Sequence, residues 1–189
     1  MRSTDWRGAR DPGRANRREV EARGEAGKLV DDADALVDEV LSPGRWPQQK
    51  TVDRFLKGDR LERVLSLYER AMRLDPGEPA YPWNLASTLD RLGLSNLALG
   101  YMARAIQVAE ETGDYEWAGA DAHLALAEIA VRAGETDLAL TALASALDSE
   151  PEDPRVRRAA SSLLEGISEA TGMPRPHLAL AARLERLPV

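Results

Sequence analysis

Along this chain apolar residues recur at steps of three and four, the spacing that gathers them on one side of an α-helix. Leu29, Val30, Ala33, Leu36, Val37, Val40 and Leu41 make the first such stripe, with Asp31, Asp32, Asp34, Asp38 and Glu39 between them. Ser42-Pro43-Gly44 predicts its end, so residues 29–44 read as an N-terminal amphipathic helix. Upstream the pattern fades. Residues 14–27 are polar and carry Gly24 and Gly27, which predicts a marginal helix at best, within a basic and flexible leader over residues 1–28. A second clear stripe, Leu61, Val64, Leu65, Tyr68, Ala71, Met72 and Leu74, ends at Asp75-Pro76-Gly77. Before it lies a weaker segment, with Val52, Phe55 and Leu56 ahead of a Gly58-Asp59 turn.

Two later segments share one pattern. Trp83-Asn84-Leu85-Ala86, Gly93, Ala98 and Ala105 are matched, 41 residues on, by Leu124-Ala125-Leu126-Ala127, Gly134, Ala139 and Ala146, with Pro151 behind them. Each copy predicts two helices joined at a glycine, with alanines where the helices meet, because a small side chain lets two backbones approach. The connection through Glu110-Glu111-Thr112-Gly113-Asp114 carries extra residues and predicts longer helices meeting at a Gly113-Asp114 turn. The stretch from Trp46 to Pro76 is a degenerate copy: Phe55, Val64, Tyr68, Ala71 and Pro76 fit, whereas Gly58 falls one residue early.

These residues resemble the tetratricopeptide repeat (TPR) family, whose unit is a helix-turn-helix of about 34 residues. The likeness covers residues 45–151. It implies an all-α fold, a right-handed α-α superhelix of about three TPR-like helix-turn-helix repeats with N- and C-terminal capping helices. The helix at 29–44 would either cap the first repeat or occupy the groove. Residues 152–189 would supply the C-terminal cap: a stripe of Val156, Ala159, Ala160, Leu163, Leu164 and Ile167 between Pro154 and Gly172, then a last helix after Met173-Pro174 using Leu178, Ala181, Ala182, Leu184 and Leu187.

The resemblance also implies a site. In TPR proteins the first helices of successive repeats line a concave groove, which in this chain assigns Trp83, Asn84, Ser87, Asp90 and Arg91 from one repeat and Asp121, Leu124, Glu128 and Arg132 from the next. Trp83 has two readings, a binding hot spot or a side chain packed between helices. Some family members grip a partner's terminal carboxylate with Lys, Arg and Asn at set groove positions. Here those positions hold Gln49, Asp53, Asn84, Asp121 and Ala125, and only Asn84 matches, so that specificity is not expected.

Composition narrows the partner. The chain of 189 residues is 43% hydrophobic and 30% charged, ordinary for a folded domain. Residues 1–28 carry a net charge of +3 and residues 29–189 a net charge of −10, so the body repels nucleic acid and favours a basic or apolar peptide or helix of another protein. Arginine outnumbers lysine 22 to 3, a bias that suggests a high-GC bacterial source. No run of 18 apolar residues and no apolar segment behind the first charges are present, so neither a membrane span nor a secretory signal is expected and the location reads as cytoplasmic.

Catalytic chemistry finds little footing. With no cysteine and only His123 and His177, a nucleophile–base pair has no evident members, and His123 reads as a partly buried structural residue. Gly93 and Gly134 are isolated turn glycines, not a phosphate loop. The acidic run at Glu110, Glu111, Asp114 and Glu116 lacks the regular oxygen-ligand spacing of a cation loop, so neither a metal nor a cofactor is expected. The expectation is a non-catalytic adaptor or assembly subunit. Its alternatives are a regulatory subunit acting on an enzyme or transcription factor, and a self-assembling structural component.

Overall fold

The computed structural model describes residues 12–38, 40–41, 47–114 and 117–171, which form eight α-helices with no strand among them. In chain order these are α1 (Pro12–Asp38), α2 (Gln49–Leu56), α3 (Arg60–Leu74), α4 (Ala80–Arg91), α5 (Ser95–Thr112), α6 (Ala120–Ala133), α7 (Thr136–Ser149) and α8 (Pro154–Thr171). The all-helical class expected from the sequence is observed. Trp46, and the helix expected after Met173-Pro174, lie outside the described residues.

Two hairpins carry the repeated pattern. In the first, α4 lays Leu85, Ala86 and Leu89 against Ala98, Met102 and Ala105 of α5. In the second, α6 lays Ala127 and Ala130 against Ala139, Leu143 and Ala146 of α7. The alanines at the seams are 0% exposed, as close-packed helix axes require. Leu85, Leu89, Met102, Leu143 and Leu147 fill the remaining volume, each contributing about 1.5–3 kcal/mol by leaving water. These residues belong to a continuous buried cluster that runs from Ala26 on α1 to Ile167 on α8.

Glycine ends three helices in one way. Gly93, Gly113 and Gly134 have φ of +78°, +74° and +79°, a left-handed backbone that a Cβ disfavours. After each, the next amide donates to the carbonyl five residues back along the helix end: Leu94 to Leu89 at 2.9 Å, Asp114 to Ala109 at 2.8 Å and Glu135 to Ala130 at 2.9 Å. Helix-end carbonyls that would otherwise lack donors are thereby satisfied. The Gly113-Asp114 turn falls where the sequence predicts. Of the two helices meeting there α5 is long, at 18 residues, whereas α6 has 14.

The N-terminal third departs from expectation. The stripe from Leu29 to Val37 lies in the second half of α1, with Val40 and Leu41 just past its end; the helix begins at Pro12 and runs through Gly24 and Gly27, residues that the sequence assigns to a flexible leader. Arg23 reaches Asp75 at 3.5 Å, and Asp34 accepts a hydrogen bond from the Tyr68 hydroxyl, so α1 and α3 lie antiparallel. It is α1, not the degenerate first helix α2, that packs along α3. The reason is length: the eight residues of α2 span about 12 Å against about 22 Å for α3, while α1 covers α3 with Ala26 and Ala33, both fully buried. Val52 and Phe55 still anchor α2 in the core. At the other end α8 packs on α6 and α7 through Val156, Ala160 and Ile167, as the apolar stripe there predicts.

Two alanine substitutions separate glycines used for their backbone from one that is not. Gly134→Ala forces a left-handed alanine and is expected to cost about 1–2 kcal/mol in a urea melt. Gly100→Ala, in the middle of α5 with open space around its Cβ, is expected to raise stability by up to about 1 kcal/mol.

Candidate functional site

Helices α1, α3 and α4 enclose a cleft of about 380 Å³. One wall comes from Asp34, Val37 and Asp38 on α1 and from Leu41 just beyond its end, each three or four residues from another on the same face. Asn84, Ser87, Thr88 and Arg91 of α4 form the opposite wall, on a similar helical spacing. Tyr68 of α3 closes the floor, its ring fully buried and its hydroxyl donating to Asp34. The N-terminal helix therefore walls the cleft and does not fill it.

Of the nine residues that the sequence assigns to a groove, the structure gathers three in this cleft: Asn84, Ser87 and Arg91. Trp83 turns elsewhere. It packs against the core and meets Trp117 edge to face, with ring centroids 5.3 Å apart and planes at 82°. Leu124 is buried in the core. Asp121 and Glu128 are exposed on α6; Asp153 is the chief cause of a raised guanidinium pKa at Arg155 of α8, and the charge of Asp121 adds to it.

Asp90 and Arg132 are corrected most. Asp90 does not present its charge to a groove: it is 5% exposed and its carboxylate is engaged within the chain. Ser95 Oγ donates to Oδ1 at 2.8 Å, while Arg132 donates from Nε to Oδ1 at 3.0 Å and from Nη2 to Oδ2 at 2.7 Å. Glu128 stands 3.8 Å from the same guanidinium. A carboxylate gripped by both N–H groups along one edge of a guanidinium is a strong charge-assisted contact, and this one joins the ends of α4 and α6. With Trp83, in the first turn of α4, meeting Trp117, three residues ahead of α6, the two contacts hold α4 and α6 parallel.

The sequence reading missed the α1 wall. Asp34 and Asp38 look like two members of an ordinary acidic face, and nothing local marks them as opposite Asn84 and Ser87. A buried Tyr68 in need of a hydroxyl partner is the one available clue. Among the described residues no group of three or more histidine and acidic side chains is placed to hold a metal ion, and no helix is long and apolar enough to cross a membrane. His123 is half-buried on α6; burial pushes its pKa down and Glu110 only partly opposes this, so it favours the neutral form. No protein-family model matches the chain, and no curated protein matches its sequence.

Charge in the cleft is unevenly balanced. Burial raises the pKa of Asp34, and the neighbouring carboxylates of Asp38 and Asp31 raise it further; the Tyr68 hydrogen bond opposes them without winning. A carboxyl whose folded-state pKa is raised favours folding below its ordinary titration range, and that contribution is lost as pH rises through the raised value. Asparagine at this position keeps an acceptor for Tyr68 and has no charge to desolvate. The stability difference between Asp34→Asn and the wild type, followed by thermal melts, is therefore expected to shift in favour of the variant from about pH 3 to pH 7. A difference independent of pH contradicts the assignment.

Proposed function

We propose that this protein is a non-catalytic binding module of the TPR kind, a right-handed α-α superhelix that holds a peptide or helix of a partner protein against α4 and the helices beside it. What supports the TPR reading is the repetition itself: hairpins in chain order, Gly93 and Gly134 in one helix-ending motif, and alanines 0% exposed at matching places on α4–α5 and α6–α7. The degenerate first unit fits as well, since Val64, Tyr68 and Ala71 of α3 are fully buried at the places that Ala98, Met102 and Ala105 hold on α5.

The observation that carries the binding reading is the open cleft on the α4 face. A folded core has no use for Asn84 and Ser87 along one side of a helix opposite two aspartates. An incoming peptide that needs hydrogen bonds and charge has use for all of them. The acidic body favours a partner segment with basic character.

Site-specific photocrosslinking tests this directly. Benzoylphenylalanine installed at Ser87 in the cleft is expected to give a discrete adduct with a protein of the native lysate. The same probe at Asn96, exposed on α5, is expected to give none. Adducts of equal yield at both positions, or none at Ser87, contradict the reading.

A further inference from the structure

The cleft between α1, α3 and α4 has a composition more specific than its location. Asp34 and Asp38 stand one helical turn apart on one wall, so their carboxylates lie on the same face of α1. Val37 and Leu41, on that wall too, add an apolar strip beside them. Across from them, Asn84 and Ser87 offer an amide and a hydroxyl. Two carboxylates against the single guanidinium of Arg91 leave the lining with a net negative charge.

We propose that this cleft receives an arginine side chain of the partner peptide, its guanidinium between Asp34 and Asp38 and its methylene stem along Val37 and Leu41. The proposal rests on the reading of the α4 face given above and deepens it by naming the anchor. A planar guanidinium offers five donors in a fixed fork, and two carboxylates one turn apart present acceptors to both of its edges. The remaining donors face hydroxyl and amide oxygens on α4. An arginine stem is apolar and packs where its head does not. A volume of about 380 Å³ lies at the small end of ligand pockets, suited to one long side chain and its neighbouring backbone. The raised pKa of Asp34 agrees: a carboxylate short of compensating charge is one that an arriving cation relieves.

The probes are N-acetyl-arginine amide, N-acetyl-citrulline amide, which keeps the shape without the charge, and putrescine, which keeps charge without the fork. Each is titrated into the full-length protein and followed by amide NMR shifts. The expected result is saturable shifts at Asn84, Ser87 and Thr88 with the arginine probe, and at least tenfold weaker binding of citrulline and of putrescine. Asp34→Asn combined with Asp38→Asn is expected to weaken the arginine probe by tenfold or more, while Asp153→Asn, just before α8, leaves it unchanged. Citrulline or putrescine binding as well as arginine, or shifts outside the cleft, overturns the proposal without any variant. Adducts at Ser87 with no preference for arginine sink this proposal and spare the proposed function. Arginine binding with no adduct does the reverse.

Discussion

Asp90 is a charge with little access to water, at 5% exposed, and the arrangement of the middle of the molecule follows from that. Removing a carboxylate from water costs several kcal/mol unless its oxygens are answered in place. Here Ser95, two residues beyond Gly93, answers one oxygen, and Arg132, 42 residues further along the chain than Asp90, answers both. The main-chain packing between these hairpins runs mostly through α5 and α6, so α4 and α6 depend on side chains to hold their relation. The Trp83–Trp117 contact does the same at the other end. Two ties at opposite ends fix both the spacing and the direction of the pair.

Within each hairpin a different constraint acts. Alanine at the seams allows the axes to come close, and nothing larger fits at 0% exposure without moving a backbone. The glycine at each turn lets the first helix of a hairpin stop and the second begin after three residues in one hairpin, Leu92–Leu94, and two in the other, Gly134–Glu135. Short turns make the hairpins local structures, while Asp90–Arg132 and the α5–α6 packing make them neighbours. The cleft at α1, α3 and α4 sits on the face of α4 that these contacts leave uncovered.

Much of this was legible in the residues. Alanine and glycine at a constant 41-residue offset located four helices and both turns, because each of those positions answers to a local steric demand. The extent of α1 was not legible. Residues 17–25 are almost all exposed, so no apolar stripe marks them, and Gly24 and Gly27 argue against a helix that Arg23, reaching Asp75, and the buried Ala26 hold in place. The displacement of α2 by α1 was hidden for a related reason: α2 keeps the repeat's register, with Val52 and Phe55 buried, yet is too short to cover its partner. Helical spacing put Asp90 on the same side as Ser87 and Arg91. Its burial depends on Arg132, 42 residues away, and no short-range pattern encodes such a partner.

The most direct test of the account is a double-mutant cycle on the tie between α4 and α6, built from Asp90→Asn, Arg132→Met and their combination and read by urea denaturation. Arg132 is 37% exposed, which moderates the effect. Interdependent hairpins predict that both single variants lose stability and that the pair couples by about 1–3 kcal/mol. Losses that add to within about 0.5 kcal/mol would mean that Asp90 and Arg132 act separately and that the hairpins are not held together as described.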